Sequence, residues 1–259
     1  MGVPSWDLPP WDSPPLIALI VLSFVLAGFV KGVIGLGLPA IGMGLLSLAM
    51  PPAQAAALLV VPSLVTNLWQ LAAGPSLGAL SRRLWSMMAG VCLGVWAGSG
   101  LLTGEYAQHA AIGLGAALIV YAVTGLVSLR LHVRPAHEAW LSPLIGATTG
   151  VVTAATGVFV IPAGPYLQAI GLEKEELVQA LGLSFTVSTL ALAVSLSHAG
   201  ILQMSLFTAS LAVLIPALAG MFLGQWLRLR NRTETFRRLF FIGLLALGTY
   251  VAVRAAMRS

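Results

Sequence analysis

Lys31, in the run FVKGVIGLGLP, is the one formally charged residue that falls in the interior of a long apolar stretch. An ionisable group at membrane depth costs a few kcal/mol or more to insert, so it marks a functional site by default. Beside it, Gly32, Gly35 and Gly37 permit tight left-handed backbone with exposed N–H groups, and Pro39 suits the first position of a returning helix. A second break occurs in TGVVTAATGVFVIP, where Thr153, Thr156 and Gly157 stand in a similar setting and Thr156 suits the N-cap of an arm starting near Val158. Two helix N-termini aimed at one centre from opposite sides, each with about half a positive charge, make an anion site. Polar residues on other apolar segments could complete it: Asn67 and Gln70 in VPSLVTNLWQ, and Ser184, Ser188 and Thr189 in LGLSFTVSTLAL.

Neutral hydroxyls and amides can bind an anion's oxygens without adding a counter-charge. No carboxylate competes at membrane depth. Asp7, Asp12, Glu105, Glu138, Glu173, Glu175 and Glu234 fall in the tail or loops, and Glu176 opens a span. A carboxylate-based proton or sodium site is therefore not expected, nor is a metal or other cofactor. Plainer roles stay open at this point. Lys31 could snorkel or cap its helix, the glycines could serve close helix packing, and the hydroxyls could bond between helices.

The elements that position these residues are set by composition. Of 259 residues, 58% are hydrophobic and 8% charged, against about 25% charged in a soluble domain. That excludes a water-soluble globule, a nucleic-acid binder and a disordered chain, and leaves an all-α polytopic membrane protein in contact with lipid. A spanning helix needs about 20 mostly apolar residues. Six segments qualify cleanly: 53–73, 84–102, 109–129, 177–197, 203–227 and 236–253. The stretches 16–50 and 141–170 are broken by glycine and proline into arms of about 12–15 residues, short of a ~30 Å core. Both read as hairpins that enter the membrane and turn back, with two tilted full spans as the alternative.

Short loops carrying Lys or Arg stay cytoplasmic. Arg82 and Arg83, Arg130 and Arg134, and Arg228, Arg230, Arg232, Arg237 and Arg238 alternate along the chain accordingly, which puts the N-terminal tail, 1–15, outside. Arg254 and Arg258, in the C-terminal tail 254–259 and so also outside, depart from the rule. The two halves, 16–129 and 141–253, joined by a cytoplasmic linker at 130–140, resemble each other at an offset of 118–121 residues. Gly28-x-x-x-Gly32 lies over Gly146-x-x-x-Gly150, Gly37 over Gly157, and Asn67 over Ser188. If each half crosses three times, the second is inverted relative to the first, an arrangement that puts a transporter's substrate near the midplane.

FVKGVIGLGLP followed by PPAQAAALLVVPSLVTNLWQ resembles the first half of the sulfite exporter TauE/SafE family, and TGVVTAATGVFVIPAGPYLQAIGLEKEELVQALGLSFTVSTLALA resembles its second half. The resemblance covers residues 16–255. It implies a bacterial inner-membrane exporter of sulfite, sulfonates or related anions. Many members carry three successive glycines at the break, where this chain has Gly35-Leu36-Gly37 and Ala154-Ala155-Thr156-Gly157. Competing readings are an anion channel and a transport-dead structural or receptor subunit. An intramembrane enzyme lacks a paired nucleophile and base: Ser195 and His198 lie near a span end, with no Gly-x-Ser-x-Gly. The expected partners are a small anion and lipid. Gly94 and Gly98 form a small-residue face suited to internal packing or to a homodimer.

Overall fold

A computed structural model describes residues 13–103, 107–127, 132–230 and 234–257. The tail 1–12 and the residues Glu105, Arg130, Arg232 and Arg258 lie outside the described residues. The described chain forms eleven α-helices and no strand: α1 Pro14–Ile34, α2 Leu38–Leu46, α3 Pro52–Ala72, α4 Leu77–Ala97, α5 Ala107–Val127, α6 Pro135–Thr156, α7 Ala163–Ala169, α8 Lys174–His198, α9 Met204–Ala212, α10 Leu214–Arg230 and α11 Glu234–Ala256. Six stretches among the described residues are long and apolar enough to cross a membrane: Pro14–Ile34, Pro52–Ala72, His109–Val127, Lys174–His198, Met204–Arg228 and Glu234–Ala256.

The two hairpins have unequal arms, not the matched 12–15-residue arms that the breaks suggest. In the first, a 21-residue α1 is followed by a 9-residue α2. In the second, a 22-residue α6 is followed by a 7-residue α7. The first arms, at roughly 1.5 Å per residue, reach about 30 Å. Helix α1 runs through Gly32 because a single glycine costs a helix only about 1 kcal/mol. It stops at Gly35, whose φ of 85° no other residue adopts cheaply. The fourth helix begins seven residues ahead of the apolar run, so Arg82 and Arg83 lie on its early turns instead of in a loop. Helix α6 begins at Pro135, inside the stretch expected to be linker. The segment 203–227 is interrupted at Val213 between α9 and α10.

Packing between the halves is reciprocal. Helix α1 lies along α10, α6 lies along α4, α3 packs on α8, and α5 packs on α11. Glycine makes the first two pairings close. A Cβ on Gly28 or Gly32 would strike the backbone of Ala217 or Met221, and one on Gly146 or Gly150 that of Met87 or Val91. On α4, Gly94 faces Ala147 and Gly150, and Gly98 faces Ala154. That face therefore serves internal packing, not a dimer contact. Trp69, Trp85, Trp96, Trp140 and Trp226 are all exposed on the outer surface, as lipid-facing anchors are. Met87 is fully buried at the α4–α6 contact.

Candidate functional site

Both first arms end in the same way. The Gly35 amide donates to Lys31 O at 2.7 Å and the Gly157 amide to Thr153 O at 2.8 Å, each glycine being left-handed. Lys31 and Thr153 are thus equivalent last-turn residues, one cationic and one neutral. Beyond the breaks the hairpins diverge. Gly37 caps α2 directly, with φ 107°. Residues 158–162 run on outside any helix until α7 starts at Ala163. This corrects the expected N-cap: Thr156 belongs to α6, where its hydroxyl donates to Val152 O at 2.7 Å, as helical threonines in an apolar setting commonly do. The same oxygen accepts from the Val158 amide at 3.2 Å. The short α7 begins six residues past Gly157, so only α2 starts its first turn at its break, with Pro39 second instead of first.

Lys31 is buried, 4% exposed, and its ammonium donates to Asn67 Oδ1 on α3. Asn67 Nδ2 donates to Thr189 Oγ1 on α8 at 3.3 Å, and Thr189 donates onward to Phe185 O at 2.7 Å. Helix α3 grips the first break a second time, through Gln70 Nε2 to Gly35 O at 2.7 Å. Lys31, Gly35, Asn67, Gln70 and Thr189 therefore form one cluster joining the first hairpin, α3 and α8. Among the described residues Lys31 makes no ion pair, and its printed partner is a neutral amide oxygen.

The other expected residues are placed less simply. Gly32 faces α10, away from the cluster. Thr153 is fully buried, and its hydroxyl is committed to Thr149 O at 2.7 Å. Ser184 and Ser188 are fully buried on α8, and their hydroxyls have no partner among the described residues. Gly157 packs against Met43 of α2, so the second break touches the short arm of the first hairpin. It also lines a cavity of about 10 Å³, room for one water-sized occupant, together with Ser63, Phe159 and Thr189. Ser63, not singled out from the sequence, has a buried hydroxyl without a partner. Its signal was present: it lies one helical turn before Asn67 and 121 residues before Ser184.

A wider open cavity of about 410 Å³ lies at the far end of the first hairpin, between Leu48, Met50 and Arg254. Arg254 donates to Leu48 O at 2.7 Å, just past α2. At the end of the second hairpin, Arg83 donates to Ile170 O at 2.9 Å and pairs with Glu138 at 2.6 Å. The hydrogen bond to the Glu138 carboxylate holds the Arg83 guanidinium above the ordinary arginine value.

No curated protein and no solved structure matches the chain. A family model, described as Sulfite exporter TauE/SafE, matches residues 20–251, nearly its whole length. With its apolar helices and buried polar cluster, the chain belongs to the TauE/SafE sulfite exporter family of membrane transporters.

Proposed function

We propose that this protein is a secondary exporter of small sulfur-containing anions, such as sulfite or short sulfonates, across the bacterial inner membrane by alternating access. The anion is held at Lys31, with Asn67, Gln70 and Thr189 around it and the hydroxyls of Ser184 and Ser188 on the same helix as Thr189. The observation that carries this reading is the buried lysine whose bond to Asn67 continues to Thr189, so that one hydrogen-bonded path joins the two halves of the chain. A buried ammonium with only a neutral amide acceptor is under-compensated, and an incoming anion supplies what it lacks.

The reciprocal packing of α1 on α10 and α6 on α4 supports two inverted repeats, as do the matching glycine caps at Gly35 and Gly157. The repeats comprise residues 16–129 and 141–253, with the N-terminus outside, a reading supported by most of the arginines. A homodimer, if formed, uses a face other than Gly94 and Gly98, which pack internally. The family assignment supports transport over catalysis.

The test is flux of sulfite and of a short sulfonate into proteoliposomes. Saturable uptake that Lys31→Ala abolishes is the expected result. Absence of flux in the wild type overturns the exporter reading, and undiminished flux in the variant removes Lys31 from the site. Large single-channel currents would replace the carrier with a pore.

A further inference from the structure

Helix α10 ends in a stripe that changes character along its length. Phe222, Trp226 and Arg230 follow one another at intervals of four, so they share one face of the helix. Phe222 meets Trp69 of α3 edge to face, with ring centroids 6.3 Å apart. Farther along, the Arg230 guanidinium lies over the Trp226 ring, 4.2 Å from its centroid. Trp226, Phe222 and Trp69 are 49%, 50% and 57% exposed, so each ring turns about half its surface outward, to lipid.

The stripe has the order of a phospholipid: a charge, then an interfacial ring, then apolar surface. Tryptophan settles at the level of the headgroups, and a guanidinium above it meets phosphate with a fork of N–H donors. Arg230 makes no ion pair among the described residues. The indole holds it in place, which lowers the entropy that a ligand must overcome. The surroundings favour a headgroup with net negative charge. Residues 226–238 hold Arg228, Arg230, Arg232, Arg237 and Arg238 against Glu234 alone, and Glu234 faces Arg238 across 3.7 Å in an exposed pair. A zwitterionic headgroup brings its own cation and gains little there. This end of α10 is also the one that the arginine pattern assigns to the cytoplasm, the side on which anionic lipids attract basic segments.

We propose that the seam between α10 and α3 holds one anionic phospholipid of the phosphatidylglycerol class. Its phosphate rests on Arg230, its glycerol beside Trp226, and an acyl chain along Phe222 and Trp69. The site is independent of the exporter reading. Trp69 lies between Asn67 and Gln70 in the sequence of α3, so the lipid covers the outer face of the helix that grips Lys31 and Gly35.

Native mass spectrometry of the purified full chain, released from detergent with phosphatidylglycerol or phosphatidylcholine added, tests this. Phosphatidylglycerol should bind about tenfold more tightly. Arg230→Gln should weaken it about fivefold, the share of one arginine near a charged headgroup, and leave phosphatidylcholine binding unchanged. Trp226→Leu keeps the charge, removes the ring and should weaken it about threefold. Arg254→Gln, at the far end of the first hairpin, removes the same charge elsewhere and should have no effect. Equal affinity for the two lipids, or unchanged phosphatidylglycerol binding in Arg230→Gln, overturns the proposal. An equal loss in Arg254→Gln overturns it too, because the preference would then follow net charge and not this seam. Glycerol 1-phosphate carries the headgroup phosphate without chains; if it displaces the lipid at equal concentration, the site takes a free anion and the lipid assignment falls.

Discussion

The two hairpin tips begin alike and end differently. Each first arm stops at a left-handed glycine whose amide bonds back four residues, to Lys31 O in one and to Thr153 O in the other. From there the first hairpin turns sharply into α2, while the second runs outside any helix over residues 158–162 before α7. The first tip carries a lysine tied to α3; the second carries hydroxyls turned back on their own helix and borders a cavity. Duplicated backbone geometry has thus been kept while the chemistry was divided: one tip carries a lysine, the other only neutral hydroxyls.

That contrast can be attacked at several strengths. The shared part should be the more fragile. Gly28→Val and Gly146→Val each drive a side chain into the backbone of a neighbouring helix, and both should cost more than about 3 kcal/mol, read as loss of the folded fraction in detergent-purified protein. A variant that melts like the wild type would show that the close pairing of that half is dispensable. Next come the two equivalent last-turn residues. Lys31→Ala should lower anion flux about 100-fold, in keeping with losing a charge-assisted bond. Thr153→Val should change it less than about threefold, because its hydroxyl bonds only its own helix. Comparable losses would mean that the tips share the anion equally. Asn67→Asp gives Lys31 a built-in counter-ion and a like charge facing the substrate, so anion binding should fall at least about tenfold while the fold persists; isothermal titration with sulfite reads this, and unchanged affinity would place the anion elsewhere. The smallest effect concerns the far ends of the hairpins. Arg83→Gln loses a carbonyl contact and an ion pair that is partly solvent-screened, at about 1–2 kcal/mol. Arg254→Gln loses the carbonyl contact alone, at about 0.5–1 kcal/mol. Thermal unfolding of the two variants side by side measures the difference, and a reversed order would show that the first hairpin depends more on its arginine.

Much of this architecture can be read along the chain. Hydropathy finds the helices, and the glycine clusters find both breaks, because each property acts within a single turn or span. Lys31 stands out because any charge inside an apolar run does. What resists reading is whatever a distant partner decides. Gly32 looks like part of the break beside Lys31, yet it faces α10, a helix almost two hundred residues away in sequence. Thr156 has the composition of an N-cap, but the helix continues through it and its hydroxyl bonds backwards, which an apolar environment favours over an exposed cap. Ser63 and Thr66 lie three residues apart on one helix, and the sequence does not separate them. Thr66 bonds Pro62 O at 2.6 Å, whereas Ser63 is left facing a gap that exists only because α8 and the second tip come near.

The reciprocal pairing also bears on biosynthesis. When α6 leaves the ribosome its partner α4 has already been made, so that contact can close at once. Helix α1 has no such luck: its glycine-lined face fits α10, which is translated only after some two hundred residues. Throughout that interval the earliest helix must wait in the bilayer or the insertion machinery with its seam unzipped. The late closures of the nascent protein therefore reach back to early helices, α10 to α1 and then α11 to α5, and a ribosome that stalls before α10 releases a product in which α1 and α5 are left without their mates.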